Sequence, residues 1–114
     1  METTRVITGA AGAQVFVELF KLPEDGHAYV RIMVGAELEG QPSTKRSIVQ
    51  EGIAYDAGEF ANVAVSPPLA AAGPADAPFV LCGIMNDEMR VGLSIHFTGE
   101  ARLFVRIDQE VVTL

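Results

Sequence analysis

The most regular alternation of apolar and polar residues lies near the end of the chain. Apolar side chains alternate with Arg, Gly, Ser and His from Met89 to Phe97, and the same period of two continues from Ala101 to Ile107. Successive side chains of a strand point to opposite faces, so each run has one apolar face. A short interruption that contains Gly99 separates the two runs and is typical of a hairpin turn. We therefore predict an antiparallel hairpin whose apolar face needs a cover.

Similar patterns, separated by Gly, Pro and Asp, recur through the rest of the chain. They predict strands over residues 3–8, 14–22, 27–34, 47–55, 60–65 and 79–85, with 110–114 extending the last strand. No segment has the 3.6-residue period of an amphipathic helix. The sequence thus predicts one all-β domain over residues 1–114, either an antiparallel β-sandwich, jelly-roll-like, or a small barrel of about seven or eight strands.

Turn-forming residues predict how these segments connect. The turn signal Pro23 to Gly26 predicts that 14–22 and 27–34 pair as a hairpin. Residues 35–46 are polar and contain both Gly and Pro, which favours a loop. Residues 66–78 hold four prolines and predict a long loop, either a passive crossover or a functional element.

Charge and hydropathy exclude several classes of partner. The net charge of −7 repels nucleic acid and anionic membrane surfaces, so we expect neither as a partner. No stretch approaches the roughly 20 apolar residues of a spanning helix. The first residues include Glu2 and Arg5 and no apolar segment, which is unlike a secretory signal. We expect a cytoplasmic protein.

Residues suited to chemistry are few and scattered. The chain has two histidines, His27 and His96, both on polar sides of strand patterns, and one cysteine, Cys82, within an apolar run. We predict a buried, unreactive thiol at Cys82. Metal-ligand, nucleophile and phosphate-binding spacings are missing from the sequence. We therefore predict no catalytic residue, no cofactor and no metal site.

The sequence has more large apolar residues than one face of each strand needs. Aromatic residues, Met and Arg are enriched at protein interfaces, and monomers rarely expose patches of several large apolar side chains. We expect the aromatic residues and Met33 of 14–34 to form one cross-strand cluster, with Glu18 and Arg31 paired inside it. The predicted interface residues are Phe16, Glu18, Phe20, Tyr29, Arg31, Met33 and Phe104.

These features favour a non-enzymatic, self-associating β-sandwich module, a homo-oligomer that presents loops to a protein partner. An alternative is a carrier of small apolar ligands with a pocket between its sheets. A third is a small enzyme that uses one carboxylate as its base. The self-associating module and the ligand carrier differ in whether Phe16, Phe20 and Tyr29 face a second chain or an internal cavity.

Overall fold

The computed structural model describes residues 1–22, 26–55, 59–62, 69–72, 74, 76–87 and 89–114, with 59–62 and 69–72 described as backbone. These residues form strands and no helix, so the all-β prediction is confirmed. The strands are, in chain order, β1 (Glu2–Gly9), β2 (Gln14–Lys21), β3 (His27–Leu38), β4 (Gln41–Tyr55), β5 (Glu59–Asn62), β6 (Leu69–Ala72), β7 (Phe79–Asp87), β8 (Arg90–Phe97) and β9 (Ala101–Thr113).

The strands form two antiparallel sheets that pack against each other. The larger sheet has the order β1-β9-β3-β4-β5, with β6 also paired to β4, and the smaller sheet has the order β2-β8-β7. Each sheet ends in open edge strands, which a closed barrel does not have. Of the two predicted architectures, the sandwich is the one that the chain adopts.

The predicted alternation fills the space between the sheets. Inward side chains of β3 and β9 meet those of β8 and β7, and most of them are fully excluded from solvent. Close packing of branched and aromatic side chains from two sheets is the usual core of a sandwich. The largest fully buried side chains are Phe79, Phe97, Ile32, Ile48, Leu93, Ile95, Leu103 and Ile107.

Two predicted hairpins are wrong. The runs 89–97 and 101–107 become β8 and β9, which lie in different sheets, and the runs 14–22 and 27–34 become β2 and β3, which also lie in different sheets. The apolar faces of each pair cover one another across the core instead of lying side by side. Each of these two pairs of consecutive strands therefore joins one sheet to the other.

The predicted loop at residues 35–46 is also wrong. Strands β3 and β4 continue through it as a long hairpin that turns at Gly40, where φ is +75°. The Thr44 hydroxyl accepts a hydrogen bond from the Leu38 N–H at 2.9 Å and donates to the Gln41 carbonyl at 2.7 Å. The segment is polar because the tip of the hairpin is mostly exposed to water, and its polarity does not break the strands.

The thiol of Cys82 is exposed, which corrects the prediction of a buried cysteine. The register of β7 against β8 shifts between Leu81 and Gly83, so Cys82 is the extra residue of a β-bulge. Gly83 has a φ of +106°, a conformation that favours glycine. The bulge returns Ile84 to the core and leaves Cys82 on the outer side of the smaller sheet.

Several predicted segments lie partly outside the described residues. These are the turn at 23–26 apart from Gly26, the end of the strand at 60–65, and the loop at 66–78 apart from β6 and residues 74 and 76–78. Strand β6 pairs with β4, so this loop contains a short strand. Within the described part of the chain, no helix is long and apolar enough to cross a membrane.

Candidate interaction surface

The side of the larger sheet that points away from the core is called the outer face here. Side chains of β1, β9, β3 and β4 alternate between the core and this face, so those on the face align in rows across the strands. From one end to the other, the rows are Val112–Tyr29–Ile53, Glu110–Arg31–Glu51, Glu2–Asp108–Met33–Val49, Thr4–Arg106–Gly35–Ser47 and Val6–Phe104–Glu37.

The outer face exposes large apolar side chains on three of its strands. Val6 is 46% exposed, Met33 43%, Phe104 37% and Val112 46%. A two-layer sandwich covers only the inner side of each sheet, so no other element of the described chain lies over these residues. Val6 and Phe104 are neighbours at one end of the face, Met33 lies in its middle and Val112 at its other end, with charged rows between them. Met, Phe and Arg together on one exposed face are residue types enriched at protein interfaces.

A shallow groove crosses the middle of the outer face. Gly35 forms its floor because this position has no side chain, while its neighbours in the row are Arg106 and Ser47. The groove measures about 300 Å³ and is walled by Met33, Val49 and Lys45 among others. A glycine inside a strand often marks a place where another molecule approaches the backbone closely.

Charges of both signs are interleaved with the apolar residues of the outer face. On β9, Arg106 is followed by Asp108, and on β3, Arg31 is followed by Glu37 near the opposite end. Arg106 lies 3.5 Å from the Glu2 carboxylate, and the amino terminus lies 3.4 Å from Asp108. These exposed ion pairs add little to stability. The five rows hold five carboxylates and two arginines, and Lys45 and the amino terminus lie beside them, so the face carries both signs with the acidic groups in excess.

Tyr29 and Glu51 form a polar contact between β3 and β4 on the outer face. The Tyr29 hydroxyl donates a hydrogen bond of 2.6 Å to Glu51 Oε2. This hydrogen bond is the largest cause of a raised pKa of Tyr29, and desolvation and the Glu51 charge act in the same direction. The nearby Arg31 charge lowers that pKa, and Glu110 raises it. The phenol is therefore a neutral hydrogen-bond donor at physiological pH, and it holds the carboxylate in place.

Four of the predicted interface residues lie together on the outer face: Tyr29, Arg31, Met33 and Phe104. Phe16 and Glu18 lie instead on the outer side of the smaller sheet, opposite Ser94 and Gly92. Because β2 and β3 belong to different sheets, the predicted cross-strand cluster and the predicted Glu18–Arg31 pair do not form.

Phe20 points into the core. A register shift in β2 between Glu18 and Phe20 reverses the alternation, so that Phe20 lies opposite the buried Val91 and packs against the core. A bulge of this kind is not visible in the apolar pattern, because Leu19 and Phe20 are both apolar. Phe16, Phe20 and Tyr29 thus point in three different directions and do not line a common cavity.

Sequence reasoning missed three residues of the outer face. The sequence predicts strands at Val6 and Val112, but it does not predict which side chains of these two strands face the solvent. Val112 has the same phase as Phe104 on β9, so the period of two contained this signal. Gly35 belongs to the predicted loop at residues 35–46. Its position at the floor of the groove depends on its pairing with Arg106 and Ser47, which local sequence does not predict.

The edges of the smaller sheet, unlike the outer face, are protected against further pairing. Arg5 on the edge strand β1 donates from Nη1 to the Glu18 carbonyl at 3.1 Å, and so occupies an acceptor on the edge strand β2. Bulges interrupt both β2 and β7. Inward charges and bulges are the usual means by which proteins prevent edge-to-edge association.

Among the residues that the structure describes, no group of three or more His, Cys, Asp or Glu side chains is placed to hold a metal ion. No protein-family model, curated protein or solved structure matches the chain. The exposure, groove and charges of the outer face therefore carry the functional proposal.

Proposed function

We propose that the protein is a self-associating, non-enzymatic β-sandwich module whose outer face binds the outer face of a second copy. The observation that carries the proposal is the exposure of Val6, Met33, Phe104 and Val112 on one uncovered side of the larger sheet. Burial of apolar surface is the main driving force of association between proteins.

The size of the molecule suits such an interface. Its principal extents are 40, 24 and 22 Å, so a face bounded by the two larger extents has the size of a standard interface, about 800 Å² per partner. The protected edges of the smaller sheet disfavour strand addition there. The commonest closed arrangement of identical chains is a two-fold dimer, in which the same patch meets itself.

The mixed charge of the outer face supports a second copy as the partner. A surface that carries arginines and carboxylates at separate positions can meet itself with opposite signs opposed after a two-fold rotation. The chain as a whole has a net charge of −7, so copies repel at long range unless the contact surface compensates locally. Arg31 and Arg106 lower this repulsion at the contact, where each can face a carboxylate of the other copy.

The test uses two methionines of nearly equal exposure on opposite sides of the sandwich. Met33 on the outer face is 43% exposed, and Met85 on the smaller sheet is 41% exposed. Sedimentation equilibrium at micromolar concentration should give twice the chain mass of 12.1 kDa for the wild type. Met33→Lys should give the mass of one chain, and the matched control Met85→Lys should keep the dimer.

Wild-type protein that sediments as one chain would overturn the proposal. Equal effects of the two lysine substitutions would also count against the outer face as the contact. The substitution Phe20→Lys is unsuitable for this test because Phe20 is partly buried against the core, so the change would destabilise the fold as well as any contact.

A further inference from the structure

A projecting side chain and a gap occupy neighbouring positions on the outer face. Met33 projects from β3 and is 43% exposed, and the groove over Gly35 begins at the next outward position of the same strand. A two-fold axis that lies in the contact plane, between these two positions, exchanges them. Each Met33 is then placed over the Gly35 of the other copy, and the same contact is made twice.

On this basis, and resting on the proposed function, we propose the arrangement of the two copies. The dimer axis crosses β3 between Met33 and Gly35 at right angles to the strands, and Met33 of each copy enters the groove over Gly35 of the other. Strands of the two larger sheets then run roughly antiparallel, which is the aligned packing of a sandwich with sheets ~10 Å apart.

The groove has the capacity and chemistry for this side chain. The groove is open to solvent and measures about 300 Å³, which is room for a methionine side chain once the flexible Lys45 side chain beside Gly35 moves aside. Its walls include Val49 and the Met33 of the chain to which the groove belongs. Methionine is unbranched and flexible, so it adapts to a shallow site more easily than a ring does.

The same axis opposes unlike charges in the rows next to Met33 and Gly35, and it sets Glu110 of one copy opposite Phe104 of the other. The row beyond Met33 contains Arg31, and the row beyond Gly35 contains Glu37, so the rotation places Arg31 of one copy opposite Glu37 of the other. The rotation also places Arg106 of one copy opposite Asp108 of the other, because these residues lie in the Gly35 and Met33 rows. Because sheets twist, rows close to the axis stay opposed while distant rows diverge. The contact is therefore concentrated at Met33, Gly35 and these two charge pairs.

Arg31 and Glu37 give a test that only an intermolecular contact satisfies. The two residues lie roughly 20 Å apart on one strand, since a strand rises about 3.3 Å per residue, so they do not interact within one chain. Arg31→Glu should oppose two carboxylates in each contact, and Glu37→Arg should oppose two arginines. Each variant alone should dimerise at least about tenfold more weakly than the wild type.

Mixing the two variants should restore association. In the mixed dimer, Glu at position 31 of one copy meets Arg at position 37 of the other, and Arg31 meets Glu37 at the second contact. Sedimentation of an equimolar mixture, with one variant carrying a fluorescent label, should show a heterodimer of near wild-type affinity. Circular dichroism of each variant confirms that it is folded before mixing.

A second pair of variants tests the groove independently of charge. An added Cβ at Gly35 meets the flexible end of Lys45 at 3.3 Å and Ser47 Oγ at 3.8 Å, so the single chain accommodates a side chain there. Gly35→Val should therefore leave the fold intact and weaken dimerisation at least about tenfold. The control Thr8→Val changes an exposed residue at a distant row and should leave the dimer unchanged.

The outcomes separate this inference from the proposed function. A wild-type dimer that neither Gly35→Val nor the charge reversals affect would overturn the axis and leave outer-face association standing. Charge-reversal variants that stay apart when mixed would also overturn it. A monomeric wild type would overturn both proposals.

Discussion

The side-chain oxygen of Gln50 accepts a hydrogen bond from the Ile84 backbone N–H at 2.7 Å, across the interior between the two sheets. Gln50 lies on β4 and is only 5% exposed, an unusual position for an amide side chain. The bulge at Cys82 directly precedes Ile84 on the β7 strand, and the Ile84 N–H is directed to Gln50. The core therefore contains a glutamine because the bulge leaves a buried donor that needs a partner.

Replacing Gln50 by Met should destabilise the fold, because it keeps the size of the side chain and removes the acceptor of the Ile84 N–H. A buried donor without a partner costs about 1–3 kcal/mol in the free energy of unfolding. Urea denaturation should show a lower midpoint with an unchanged slope. Gln41→Met, at the exposed tip of the β3–β4 hairpin, is the control. Equal midpoints for both variants would show that the hydrogen bond adds no stability.

Gly83 is the second residue on which the bulge depends. An added Cβ at Gly83 would lie 2.6 Å from Gln50 Oε1, and its φ of +106° is strained for any other residue. Gly12 provides a matched control because its φ is +85° and no atom lies within 4 Å of an added Cβ.

We expect Gly12→Ala to lower the free energy of unfolding by roughly 1–2 kcal/mol, from backbone strain alone. Gly83→Ala should cost more, about 2–4 kcal/mol, because crowding against Gln50 is added to the same strain. The double variant Gly83→Ala/Gln50→Ala should lose less free energy of unfolding than the sum of the two single losses, because Gln50→Ala removes the atom that the added Cβ meets. A cost at Gly83 no greater than that at Gly12 would contradict a role for the Gln50 contact.

The period of two predicted which residues face the core, but not which strands lie side by side. For Leu93 and Leu103, the alternation correctly predicted burial, because burial depends only on the side of the strand. A hairpin and a crossover between sheets bury the same residues, so the alternation does not distinguish them. The predicted pairing of β8 with β9 is wrong for this reason. The turn at Gly99 has the composition of either connection, and only packing across the core distinguishes them.

Some of the predicted interface residues are exposed, whereas Phe20 packs against the core, because the period of two holds only along strands without a bulge. Met33 and Phe104 were placed on the exposed side because their strands alternate without interruption. Phe20 was misplaced because a bulge changes the phase within an apolar run, and nothing in the residue types marks it. The groove over Gly35 depends on three strands meeting in register, which no local pattern encodes.

Phe16 should contribute to folding and not to association. Its ring lies over Gly92, where an added Cβ would come within 2.5 Å of the ring, and the Arg90 guanidinium carbon lies 5.3 Å from the ring centroid. Phe16→Ala should lower the free energy of unfolding by roughly 1–3 kcal/mol, less than for a fully buried ring. Its dimer dissociation constant should match that of the wild type by sedimentation. A dissociation constant raised as much as by Met33→Lys would place Phe16 in the contact instead.

The Tyr29–Glu51 hydrogen bond should make part of the stability depend on pH in the alkaline range. The pKa of Tyr29 is raised above its ordinary value of 10.0, first by the hydrogen bond to Glu51 and then by desolvation and the Glu51 charge. The folded state thus holds the phenolic proton more tightly than the unfolded chain does. The resulting stabilisation is fully present below pH 10 and is lost as the pH rises through the folded pKa.

Glu51→Gln should move the pKa of Tyr29 back toward 10.0, because it replaces the hydrogen bond to a carboxylate, the largest cause of the raised pKa, by a weaker one to an amide, and it also removes the Glu51 charge. Tyrosinate absorbance gives this pKa directly, and the background substitution Tyr55→Phe leaves Tyr29 as the only tyrosine of the chain. Glu110→Gln is the control, because Glu110 acts on Tyr29 through its charge and is the last of the causes that raise the pKa. It should shift the titration less than Glu51→Gln does. If both variants titrate like the parent, the Glu51 contact does not control the ionisation of Tyr29.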